Sequence, residues 1–211
     1  MKKKLLASVL TTMALGASVA ALPAAPAASA APGQRSLATV LAADGHHFDH
    51  TWGDFDILDA AVTTVLKAKP DSAVGVLADG STALTAFLPT DRAFRRLVHD
   101  LTGKRPRTER ATFNRLAKAA GVDTIEQVLL YHVVPGATIT YAQAKASDGA
   151  ALKSALGPVI RVNVRKHGRI ALLDRDPDDA NALVKPSARN INKGNLQIAH
   201  GVNRVLRPAN L

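Results

Sequence analysis

The stretch that most constrains this chain is Leu129-Leu130-Tyr131-His132-Val133-Val134-Pro135-Gly136. Up to Tyr131 the apolar residues recur at helical spacing; from His132 they run as in an extended strand, and Pro135-Gly136 is a turn signal. A helix that passes into a strand at a histidine makes a corner, and the elements on either side must pack around it. Upstream, helical periodicity dominates. Ser36 is placed to cap a short helix through Leu37, Val40 and Leu41. Asp54 to Leu66 sets Phe55, Leu58, Ala61, Val62 and Val65 on one face, with Asp54 and Asp56 in the first turn. Ala73–Leu77 and Leu84–Leu88 read as two buried strands joined by Asp79-Gly80-Ser81. Thr90 or Asp91 then caps a helix carrying Ala93, Phe94, Leu97 and Val98, and Gly121 separates helical stretches at 113–120 and 124–131.

Downstream the period changes. From Ile160 to Arg165 apolar and polar residues alternate, and Lys166-His167-Gly168 turns the chain back into Ile170-Ala171-Leu172, a hairpin pattern. Leu183-Val184, Ile191, Leu196–Ile198 and Val202–Leu206 add short strands between Pro, Asn and Gly. Helices first and an antiparallel sheet afterwards predict an α+β domain.

Residues 1–30 have the form of a secretory signal peptide: Lys2, Lys3 and Lys4, then an apolar run from Leu5 to Ala21, then Ala28-Ser29-Ala30 as a cleavage site. The expected divisions are therefore a signal peptide at 1–30, a leader with a short helix and a His-rich loop at 31–52, and the main domain at 53–211. No later stretch reaches the length of apolar residues that a bilayer span needs. The chain has no cysteine, which excludes disulfides, thiolate metal sites and a lipidated cysteine, so an exported domain must rest on its core. Without the three signal lysines it carries 24 basic against 17 acidic residues, a net +7. An exported basic protein favours anionic wall polymer, polysaccharide or headgroups over nucleic acid.

Three motifs in order resemble the fasciclin domain. Ala86-Phe87-Leu88-Pro89-Thr90-Asp91-Arg92-Ala93-Phe94 is similar to its first signature, Leu130–Gly136 to its Tyr-His centre, and Asn195–Pro208 to its closing signature. Asn203 stands where the last strand usually has an acidic residue. The resemblance implies a wedge-shaped antiparallel β-sandwich flanked by helices, and secreted, extracellular adhesion or ligand binding without catalysis or cofactor. It also marks Tyr131 and His132 as part of an adhesive surface. The residues themselves allow a second reading, a partly buried histidine that hydrogen-bonds backbone to hold the corner.

Arg92, Arg95 and Arg96, at i, i+3 and i+4, share a helix face, with Lys104, Arg105, Arg107 and Arg110 following. They form either a solvated face or a site for carboxylate, sulfate or phosphate. His46, His47, Asp49 and His50 match no closed metal motif and read as a solvated loop. Asp174-Arg175-Asp176-Pro177-Asp178-Asp179 begins like a calcium loop, but Asp179 and Lys185 occupy the places of the EF-hand Gly and Glu. No nucleophile elbow or nucleotide-binding loop is present, and Glu109 and Glu126 are the only glutamates. The leading expectation is thus a monomeric or weakly self-associating binder of extracellular protein through Tyr131-His132. The alternatives are an anionic-polysaccharide binder through Arg92, Arg95 and Arg96, and a hydrolase whose triad assembles only in space.

Overall fold

The structure is a computed structural model, and it describes residues 31–210. The signal peptide expected at 1–30 lies outside the described residues. Among the described residues five α-helices, α1 (Leu37–Leu41), α2 (Asp56–Ala68), α3 (Asp91–Thr102), α4 (Glu109–Tyr131) and α5 (Tyr141–Lys145), accompany two sheets. One sheet has the order β2-β1-β7, from β1 (Leu84–Pro89), β2 (Val133–Pro135) and β7 (Gln197–Val202). The other is antiparallel, β3-β4-β5-β6, from β3 (Ala151–Lys153), β4 (Val159–Val164), β5 (Ile170–Leu173) and β6 (Ala182–Leu183).

β1 sits in the middle, and all six of its residues are buried. Side chains alternate across a strand. Leu84, Ala86 and Leu88 accordingly join α1–α4 in one apolar core, while Phe87 joins Tyr131, Val134, Ile160, Leu172 and Val202 in a second core against the four-stranded sheet. The three-stranded sheet thus separates helices from the second sheet. The α+β expectation is met, with the helices concentrated before residue 146.

The antiparallel expectation holds for the four-stranded sheet and for β1 with β2, but β1 and β7 run parallel, from Leu84 beside Gln197 to Pro89 beside Val202. Parallel neighbours need a long crossover, and here nearly the whole second half of the chain supplies it. The segment Ala73–Ala78 is a 3-10 helix rather than a strand. Its buried residues, Val74 and Leu77, are three apart, the repeat of that helix, and the Ser72 hydroxyl accepts the Val74 N–H at 3.2 Å. Residues 203–206 leave the sheet instead of forming a separate strand, because β7 runs unbroken through Gly201. A Cβ there would meet the Ala188 Cβ at 2.6 Å, so glycine serves close approach rather than a break.

The Gly121 break is observed: with φ 73° and ψ 167° it interrupts α4 while the helix continues on either side. Pro32–Leu211 forms one compact unit, and Leu37 and Leu41 are in the helical core. The Gln197 side chain explains the attachment. Its Oε1 accepts the Leu37 N–H at 2.8 Å and its Nε2 donates to Val76 O and Asp79 O at 2.8 and 2.7 Å. Gly80 lies against the Gln34 carbonyl with no room for a Cβ. Gly80→Ala is therefore expected to lower stability by about 2 kcal/mol through overpacking against backbone, read as a lower urea midpoint with an unchanged m-value.

Candidate functional site

The predicted corner forms where α4 ends. Tyr131 is fully buried and its hydroxyl donates to Val159 O at 3.2 Å. Burial, with the nearby Asp174 charge, pushes its phenol up to about 12. His132 is also buried, at 4% exposure. Its Nε2 accepts the Leu206 N–H at 2.8 Å, so the ring proton must sit on Nδ1, which donates to Val128 O at 2.7 Å. Both nitrogens are used by backbone. Burial holds this imidazole down to about 4, in the neutral form that the arrangement requires. Both side chains are buried, the geometry of the second reading, in which the histidine holds the corner through backbone hydrogen bonds. His200 is equally satisfied, with Asn190 N–H on Nδ1 at 3.3 Å and Ile139 O on Nε2 at 2.9 Å. Among the described residues, neither histidine has the hydroxyl partner that a hydrolytic triad needs.

The arginines of α3 take different roles. Arg95 donates from Nε to Pro106 O at 2.7 Å and lies over the Trp52 ring at 4.3 Å, so it braces the wall of the site. Arg96 donates from Nη1 to Asn203 O at 2.8 Å. Arg92 is exposed, and its guanidinium has no protein partner among the described residues. A depression lined by Trp52, Thr90, Arg92, Arg96, Lys185 and Asn203 gathers these groups. A second one, lined by Arg96, His99, Asp100, Arg105 and Arg204, adjoins it through Arg96. Burial and then the Arg204 and Arg92 charges depress Arg96; burial and then Arg92 depress Lys185. Cations held close enough to disfavour one another's charge make a site that an anion relieves. Lys185 and Trp52 were not legible as site residues, since only folding brings them to α3. Lys104, Arg107 and Arg110 line neither depression.

The aspartate-rich turn is a structural clamp. Arg207, 5% exposed, bonds Asp176 at 2.9 Å, Asp100 at 2.6 Å and Asp179 at 3.3 Å. Burial works to raise Asp176, but the Asp178 and Asp179 N–H groups and the Arg207 guanidinium outweigh it and hold the carboxyl low. Nor do the loop histidines gather as ligands: His46 pairs with Asp59, and the His50 N–H donates to Glu109 at 2.9 Å. The groups with ligand spacing among the described residues are carboxylates alone, Asp49 with Asp54 and Asp56, and Asp54 with Asp91 and Glu109.

A family model for the fasciclin domain matches residues 60–208. The chain belongs to the fasciclin family. Among solved structures, this fasciclin domain is similar to a FAS1 domain pair from the insect cell adhesion molecule Fasciclin I. The likeness is 14% identical, with a TM-score of 0.49, and covers 73% of this chain and 48% of that one. The chain thus spans about half the length of that pair. No curated protein matches it. Fasciclin domains are adhesion-type modules, generally non-catalytic, of extracellular or cell-surface proteins. No helix among the described residues is long and apolar enough to cross a membrane.

The neutral corner carries a pH signature. His132 falls from 6.5 unfolded to about 4 folded, so between those values the unfolded chain binds a proton that the native state refuses. Its stabilisation is complete above pH 6.5 and is lost as pH falls toward 4, by about 3 kcal/mol. His132→Gln removes the titration, so the stability gap between wild type and variant is expected to shrink by that amount from pH 7 to pH 4 in paired denaturation curves.

Proposed function

We propose that this fasciclin domain is an exported adhesion module that holds acidic polysaccharide of a wall or matrix in the two adjoining depressions along α3. The observation that carries the reading is their continuity. Arg92 and Lys185 on one side, Arg96 at the junction and Arg105 on the other form a track rather than a single socket. Successive carboxylate or sulfate groups along a polymer match such a track, and Arg supplies forked donors to each. The Trp52 ring, held by Arg95, offers an apolar wall beside the cations. Tyr131 and His132 contribute from inside, by fixing the corner and, through Leu206, the segment that bears Asn203 and Arg204.

Recognition of a cell-surface or matrix protein is the second reading, and membership of an adhesion-type family favours it. Export and action as a monomer or weakly associating unit go with either reading, and nucleic acid with neither.

Heparin, as a sulfated polysaccharide probe, tests the first. Wild type is expected to be retained at low ionic strength and released as salt screens the contacts. Arg92→Ala and Lys185→Ala should each weaken binding about tenfold, roughly 1.4 kcal/mol, while an exposed cation elsewhere, Lys118→Ala, leaves it unchanged. Salt-insensitive retention, or equal loss in all three variants, would count against the polysaccharide reading and leave the protein reading standing.

A further inference from the structure

Three helices of this domain start at one place, and each starts with an acid: Asp56 opens α2, Asp91 opens α3 and Glu109 opens α4. The segment from Asp49 to Asp54 crosses over these starts and adds two more carboxylates. Part of this acidity serves the backbone. Asp91 Oδ1 accepts the Ile57 N–H at 2.9 Å, Glu109 Oε2 accepts the His50 N–H at 2.9 Å, and Asp56 Oδ2 accepts the Asp49 N–H at 3.2 Å. Converging helix N-termini also favour negative charge.

Those roles leave a remainder. Asp91 is 0% exposed and Glu109 1%, yet Asp91 Oδ2 and Glu109 Oε1, together with Asp54 Oδ1, are buried oxygens with no hydrogen-bond donor. Buried acceptors without a partner are rare, and each one needs an explanation. Here the three carboxylates that own them bring oxygens within 4.8 Å of one another. Like charges in that arrangement repel unless a proton or a cation lies between them. Among the described residues, no Lys or Arg side chain bonds any of the three.

We infer that Asp54, Asp91 and Glu109 form a calcium site. The donor set is all oxygen and all carboxylate, the chemistry of a hard cation rather than of zinc or copper. Calcium suits such a set better than magnesium does, because it takes six to eight oxygens in flexible geometry, whereas magnesium demands a near-ideal octahedron and keeps several of its waters. Asp54 belongs as well to the neighbouring group with Asp49 and Asp56. The ion ties the Asp49–Asp54 segment to the starts of α3 and α4, and so holds a stretch that the hydrogen bonds Asp91 N–H to Asp54 O and Arg92 N–H to Trp52 O, both 3.1 Å, already anchor. The assignment is independent of what the basic depressions bind.

The chain's single tryptophan makes the test local. Trp52 is two residues from Asp54, so terbium, a luminescent calcium substitute, is expected to show emission sensitised through Trp52 when added to the purified full chain. Calcium chloride should displace that emission and raise the thermal midpoint. Glu109→Gln should abolish both responses; Asp54→Asn, a change at a half-buried loop residue that spares the helix starts, should weaken both at least tenfold while circular dichroism stays native. Absence of terbium emission and of a calcium-dependent midpoint in the wild-type chain would overturn the site, leaving a shared proton as the occupant. Sensitised emission that persists undiminished in a folded Asp54→Asn chain would overturn it equally.

Discussion

A neutral imidazole holds the two ends of this fold together. His132 donates to Val128 O within the last turn of α4 and accepts from Leu206 N–H beyond β7, so one ring joins the helical half to the chain's closing segment. Protonation would turn the acceptor nitrogen toward a donor and bury an unpaired charge, two costs at once. The consequence reaches the surface. The segment that Leu206 anchors carries Asn203, whose carbonyl holds Arg96, and Arg204, whose guanidinium lines the second basic depression. A buried residue thereby sets the geometry of an exposed basic depression.

At the start of α3 the electrostatics invert over a short distance. Asp54 and Asp91 lie under the Asp49–Asp54 segment, while Arg92, next in sequence to Asp91, faces outward beside Lys185. Burial and then the Asp54 interaction push Asp91 up to about 9, and the same Asp54 charge favours the ammonium form of Lys185. One carboxylate therefore takes part in both environments. Acid inside and base outside follow from the helix start itself. The first turn presents its N–H groups and positive dipole end inward, where Asp91 and Ile57 meet, and its next residue is free to reach solvent.

Much of the fold was legible in the sequence because the relevant signals are local. The alternation at Ile160–Arg165 and the turn at Lys166–Gly168 mark the β4–β5 hairpin; Ser36 marks α1; Gly121 marks the interruption of α4. The failures are equally physical. Ala73–Ala78 is a short apolar run, which periodicity alone assigns to a strand or a buried turn with equal ease. The parallel pairing of β1 with β7 joins residues more than a hundred positions apart, and neither strand's pattern encodes its partner's direction. The Tyr-His corner was found, but its burial depends on the second sheet closing over it. At the candidate site, spacing on one helix face identified Arg92 and Arg96, whereas Lys185 and Trp52 arrive from elsewhere. Asp54, Asp91 and Glu109 each look like an ordinary first-turn acid, and only the convergence of three helix starts makes them a cluster.

The absence of cysteine explains why so many buried polar groups recur at the joints between elements. Without disulfides, the register of distant segments must be enforced by groups that are costly to leave unpaired. Gln197 does this where β7 begins, meeting α1 on one side and the Val76–Asp79 turn on the other. Arg207 does it where the chain ends, drawing Asp100 of α3 and Asp176 and Asp179 of the β5–β6 connection to one guanidinium. Such clusters add little net stability compared with apolar packing, yet removing one partner of a buried pair costs about 3 to 5 kcal/mol. A slipped strand or undocked helix would forfeit several of these bonds together. The two apolar cores supply the drive to fold, and the polar joints select the one arrangement in which the arginine track and the carboxylate cluster both form.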